Sequence, residues 1–283
     1  MIFGATKLTG NSTPALPAPP AETQAAETPE PTPEPTPEPT PPPITVEENG
    51  LTFAIYIDHA EVTAADKSLT SVEVPAMAGG RQLTSIGKYA FSGCTDLTSI
   101  TLPEGLTEIG SYAFSGCTSL TSISLPEGLT SIGKQAFSHC GRLTGITLPS
   151  GVISIGGGAF TGCSGLTGIA LPEGVTSIDN GTFSQCSSLR EIALPEGVTS
   201  IGDSAFNGCS ALSSITLPKS LTRISPRTFY GCTGLTGISL PEGLTSVGDE
   251  AFSDCTNLTS IHAPAGSYAA EFFKDDPRLV IDG

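Results

Sequence analysis

Two short apolar signatures recur along most of this chain. The first is carried by Leu97, Ile100 and Leu102. Its last three positions alternate apolar, polar, apolar, the period of a strand with one face turned inward. The second, Leu106 and Ile109, reads as another short extended piece with two inward side chains. Pro103 has no N–H to give to a ladder and ends the first strand. Gly110 permits a turn, after which Ala113 and Phe114 close the coil. One such coil cannot bury its own apolar side, but stacked coils share a continuous core.

The pattern repeats with a fixed period of 23 residues. Cys94, Cys117, Cys140, Cys163, Cys186, Cys209, Cys232 and Cys255 keep that spacing, and so do Phe91, Phe114, Phe137, Phe160, Phe183, Phe206, Phe229 and Phe252. Stacking then predicts two internal ladders, one of phenylalanines and one of thiols. Thr182 and Thr228 replace the alanine that otherwise precedes the phenylalanine, and His262-Ala263 replaces the usual close of the last strand.

The unit L-x-x-I-x-L-P-x-x-L-x-x-I-G-x-x-A-F-x-x-C resembles the Treponema pallidum-type leucine-rich repeat carried by BspA-like bacterial surface proteins, over about residues 51–283. The stretch 72–87 is similar to that family's longer first turn. Strand-like runs around 53–57 and 61–64 resemble its N-terminal cap. The resemblance implies a right-handed, mainly-β superhelix with a parallel sheet on its concave face, an N-terminal β cap and a short C-terminal helix. It also implies a secreted or surface-bound protein that works by adhesion or by interaction with a partner. Residues 266–274 read as the short helix, with Ser267 able to cap its start and Pro277 beyond its end. Leu279, Val280 and Ile281 form a final strand.

Upstream of the repeats the apolar period vanishes. Residues 28–43 run Thr-Pro-Glu-Pro repeatedly and end in three prolines. Each proline fixes φ and removes a donor, so the tract favours extended polyproline II and behaves as a spacer. The expected organisation is a disordered linker or stalk over 1–45, an N-terminal cap and first turn over 46–82, a solenoid over 83–262 and a C-terminal cap over 263–283.

Charge narrows the partners. The formal net charge is −16 with only 12 Lys and Arg, which argues against nucleic acid and against docking on an anionic membrane. No apolar window is long enough to span a bilayer. The opening residues lack the charged and apolar regions of a secretory signal, so the expected extracellular or cell-surface location has no export signal visible here. The recurrent Leu-Pro-Glu-Gly is a repeat element rather than a sortase signal, for it lacks the threonine, the apolar tail and the basic end.

Candidate chemistry is sparse. There is no C-x-x-C pair, and His59, His139 and His262 fall far apart in the repeat, so neither a metal nor a cofactor is expected. Cysteines on adjacent turns come within bridging distance, but one buried phase recurring in every turn favours reduced thiols packed as small hydrophobes. No nucleophile elbow or phosphate loop is present, and a serine or threonine that recurs in every turn is explained by the turn, so no catalytic residue is expected. Glu104, Glu127, Glu173, Glu196 and Glu242 share one phase and read as solvated turn positions.

The exposed strand positions, from Ser99 and Thr101 to Ser260 and His262, are small residues without an aromatic anchor. Two departures stand out: Arg190-Glu191 in place of Thr-Ser or Thr-Gly, and Lys219, Arg223 and Arg227 within nine positions. These five residues are the candidate partner contact. The expected function is a non-catalytic, monomeric binding module for a protein or glycan ligand; the alternative is a passive structural spacer.

Overall fold

The structure is a computed structural model that describes residues 41–283. The expected linker over 1–40 lies outside the described residues. The described part is a mainly-β solenoid whose coils stack with the 23-residue period.

Its N-terminal cap is an antiparallel meander of β1 (Ile44–Glu48), β2 (Leu51–Ile55) and β3 (Ala60–Ala65), with Ile44 opposite Ile55 and Leu51 opposite Ala65. β1 therefore begins inside the segment read from sequence as linker. Only Val46 of this strand packs against the core, so its apolar period is too weak to separate it from the proline tract. β3 then pairs in parallel with Arg81–Ile86, which converts the meander into the solenoid.

Two parallel ladders run along the coils. The second extended piece of each repeat forms the more regular one: Glu108–Ile109, Ser131–Ile132 and Ser154–Ile155 continue from Arg81–Ile86, and a second run joins Ser177–Ile178 through Ser246–Val247. The first piece gives strands at Ser99–Thr101, Gly168–Ala170, Glu191–Ala193, Gly237–Ser239 and Ser260–Pro264, but none at 122–124 or 145–147. There the inter-turn bonds lengthen: Thr144 N–H reaches Thr121 O at 3.3 Å, against 2.8 Å for Thr98 N–H to Thr70 O. Threonine hydroxyls reinforce the stacking, as where Thr130 Oγ1 donates to Thr107 O at 3.1 Å.

Inside, the phenylalanines stack face to face from Phe91 to Phe252, with ring centroids 5.2–5.6 Å apart and planes within 11°. Phe273, beyond the helix Tyr268–Phe272, closes this ladder at 5.9 Å with its ring tilted by 59°. Ser267 caps the helix by accepting from Ala270 N–H, as expected from sequence. The last strand, Leu279–Asp282, extends the sheet beside Ser260–Pro264.

The buried threonines at alanine positions are satisfied. Thr182 Oγ1 donates to Asp179 O at 2.8 Å and Thr228 Oγ1 to Ser225 O at 2.7 Å. No buried side-chain polar atom among the described residues lacks a partner.

Candidate recognition surfaces

Each coil presents three kinds of surface: the face of the first strands, the face of the second strands, and the corners between them. The residues that alternate out of the first strands bound a continuous open groove of about 930 Å³ from Ser122 to Thr216. Its lining is Ser, Thr, Gly and Ala over the buried isoleucines, and Glu191 alone among these residues is charged. Such a surface offers hydroxyls and backbone to an extended partner, with no deep pocket for a small substrate.

The five charged candidates do not form one cluster around this groove. Glu191 stands in the strand Glu191–Ala193 on the groove face, and Arg190 precedes it, joined through its backbone to Thr167 and Ser213 on the neighbouring coils. Lys219 lies in the next turn, where its backbone N–H meets Glu196 Oε2 at 3.3 Å. Arg223 belongs to the second ladder, in the strand Arg223–Ile224. Arg227 occupies a left-handed corner and pairs with Glu250 on the following coil at 2.5 Å. Nine residues carry the chain from one side of a coil to another, which sets Lys219, Arg223 and Arg227 on different parts of it.

Sequence reasoning also passed over an aromatic pair, exposed at Tyr89 and half-buried at Tyr112. Tyr89 and Tyr112 stack with centroids 4.8 Å apart, and Lys88 Nζ stands 5.1 Å from the centre of the Tyr89 ring. The signal was available: the two tyrosines are 23 residues apart and so share a phase.

The cysteines are interior and unbridged. Burial pushes the Cys186 thiol up to about 12, and burial likewise raises Cys140, Cys163 and Cys209. A nucleophilic or metal-binding cysteine needs its thiolate, which this environment disfavours. Among the described residues no cluster of three or more His, Cys, Asp or Glu is placed to hold a metal, and no helix is long and apolar enough to cross a membrane.

Fold and surfaces together define a leucine-rich-repeat solenoid. The BspA-type leucine-rich repeat region matches it in six copies, over residues 64–189 and 154–276. The chain belongs to that family. Among solved structures it is similar to the leucine-rich repeat protein of Treponema pallidum, with 32% identity over 60% of this chain and 91% of that one and a TM-score of 0.53. It is also similar to a leucine-rich cell surface protein from Faecalibacterium prausnitzii, with 31% identity over 78% of this chain and a TM-score of 0.55. The match spans 55% of the Faecalibacterium chain. No curated protein matches the chain.

Proposed function

We propose that this protein is a surface-displayed, non-catalytic recognition module, with the solenoid as the binding scaffold and the Pro/Glu/Thr tract as a stalk. The observation that carries this reading is the open groove along five successive coils, floored by packed isoleucines and edged mostly by small Ser, Thr, Gly and Ala residues. A rigid, extended and shallow surface suits a large partner held by many weak contacts. Display at a surface draws support from the Faecalibacterium relative, which is a cell surface protein. Glu191 is the specific contact on this face, since it alone breaks the groove's neutral character, and Arg190, the residue before it, acts beside it. Lys219, Arg223 and Arg227 act elsewhere on the coils, as a second contact or as solvated charges.

The test is binding of the full chain to extracellular-matrix proteins, glycans and cell surfaces, beside a variant carrying Arg190→Thr and Glu191→Ser. Saturable binding that weakens about tenfold in the variant is expected, in line with the loss of one central contact. A folded chain that binds nothing on the panel would support the passive-spacer reading instead.

A further inference from the structure

The last coil leaves one of its edges uncovered. Each ladder phenylalanine from Phe91 to Phe229 donates its backbone N–H to the coil ahead at 2.7–2.9 Å, and the residue two positions on does the same at 2.6–2.9 Å. In the final such step Arg227, Phe229 and Gly231 donate to the carbonyls of Asp249, Ala251 and Ser253. Glu250, Phe252 and Asp254 hold the same three places in the last coil. Among the described residues nothing accepts from their N–H groups.

The C-terminal cap covers other parts of this coil. The helix Tyr268–Phe272 packs on Ser246–Val247 and Ser260–Pro264, Leu279–Asp282 pairs with Ser260–Pro264, and Phe273 covers the ring of Phe252. Between the N–H edge and Phe272, Phe273 and Arg278 there remains an open recess of about 490 Å³. Phe252 is only 4% exposed, so its N–H is an unpartnered donor on a buried residue, a costly state that a bound acceptor relieves. The coil is also less closed than the others. The bond from cysteine N–H to phenylalanine O present in every coil from Cys94 to Cys232 is missing between Cys255 and Phe252.

We propose that this edge docks a basic, extended peptide segment of a partner protein. Its donors sit on alternate residues and call for alternate carbonyls, which an extended chain presents along one side. An anionic ligand also accepts from N–H groups, but Asp249, Glu250 and Asp254 beside them repel it. Glu250 is paired with Arg227 and Arg278 with Asp276, whereas Asp249 and Asp254 make no ion pair among the described residues. Over residues 249–283 there are seven Asp and Glu against two Lys and Arg. Lys or Arg side chains of the peptide therefore meet Asp249 and Asp254, and an apolar side chain between them lies on Phe272, which is 46% exposed. The site is separate from the strand groove and goes beyond the recognition reading drawn from it.

The experiment is titration of the full chain with end-blocked octapeptides that alternate Lys with Val or Lys with Tyr, beside a Glu–Val counterpart, followed by residue-resolved amide hydrogen exchange. At least one lysine peptide is expected to bind saturably and the Glu–Val peptide not to bind. Exchange at Glu250, Phe252 and Asp254 is expected to slow about tenfold or more in the complex. Asp249→Asn with Asp254→Asn removes the charge and keeps the shape, and asparagine suits the left-handed backbone at 254. This double variant is expected to bind about tenfold more weakly. Arg190→Thr with Glu191→Ser is expected to leave peptide binding unchanged, which separates this site from the groove. Failure of both lysine peptides to bind, binding that leaves the three amides unprotected, or equal affinity in the double asparagine variant overturns the site. Self-association of the chain that protects the same amides assigns the edge to a second copy and also overturns it. Protection is read on the parent chain, so the site can fail even where the variant does not fold.

Discussion

The thiol of Cys186 donates to the carbonyl oxygen of Phe160 on the preceding coil, 26 residues earlier, at 3.1 Å. The same bond recurs from Cys117 to Cys255, always to the phenylalanine one coil back, at 3.0–3.2 Å. Cys94 has no such phenylalanine before it, and its sulfur faces Lys67 Nζ at 3.8 Å. The cysteine column is thus a hydrogen-bonding seam as well as a packing column. This accounts for the residue type, since a thiol is small, apolar and still a donor.

The seam predicts graded reactivity. In the folded protein at pH 8, iodoacetamide is expected to leave Cys140, Cys163, Cys186 and Cys209 unmodified, because burial holds them as thiols. Cys94 and Cys255, at the two ends, are expected to react first. Mass mapping of the adducts checks the order, and uniform labelling of all eight would contradict it.

The phenylalanine ladder sets a larger stake. Phe160 is fully buried between Phe137 and Phe183. Phe160→Ala leaves a cavity in mid-stack and is expected to cost about 3–5 kcal/mol by denaturant unfolding. An unchanged midpoint would place Phe160 outside the core. Because each coil contacts only its neighbours, the same change is expected to split unfolding into two steps.

At the N-terminal cap, burial first and the neighbouring Glu108 second raise the pKa of Glu61 above the usual carboxylate range. A raised folded-state pKa favours the protonated form, so this stabilisation is present at low pH and is lost as pH rises through the folded value. Glu61→Gln is therefore expected to melt higher than the parent at pH 7, with the difference vanishing near pH 3. Equal melting temperatures at pH 7 would contradict it.

The C-terminal cap has the opposite sign. Hydrogen bonds from Arg278 hold Asp276 below the usual carboxylate range, with Arg278 Nη2 to Asp276 Oδ2 at 2.6 Å. A lowered folded-state pKa gives stabilisation that is present above the unfolded value and is lost as pH falls through the folded one. Asp276→Asn is expected to speed hydrogen exchange at Ile261, whose N–H bonds Arg278 O at 2.8 Å, at pH 6. At pH 2 the two proteins are expected to exchange alike.

Truncation separates tract from cap. Removal of residues 1–40 is expected to leave the melting temperature unchanged, since the repeats and β1 lie beyond it. Removal of 1–48 takes away β1 and exposes the edge of β2, with Phe53 and Leu51 close behind it, and is expected to lower the midpoint by about 1–3 kcal/mol.

The amino-acid sequence by itself determined the repeat, its period, the two ladders and the capping helix. Each follows from local chemistry: the inward side chains recur at fixed spacing, Pro103 and its equivalents stop the strand, and Ser267 can only cap a helix that starts beside it. What the tertiary structure alone decided is which surface residues meet. Lys219, Arg223 and Arg227 are close in sequence and fall on different parts of the coil, whereas Tyr89 and Tyr112 are distant in sequence and stack. In a solenoid, contact between exposed groups is set by equivalent phase on adjacent coils, and the 23-residue step that brings them together is supplied by the stacked backbone rather than by their neighbours in the chain.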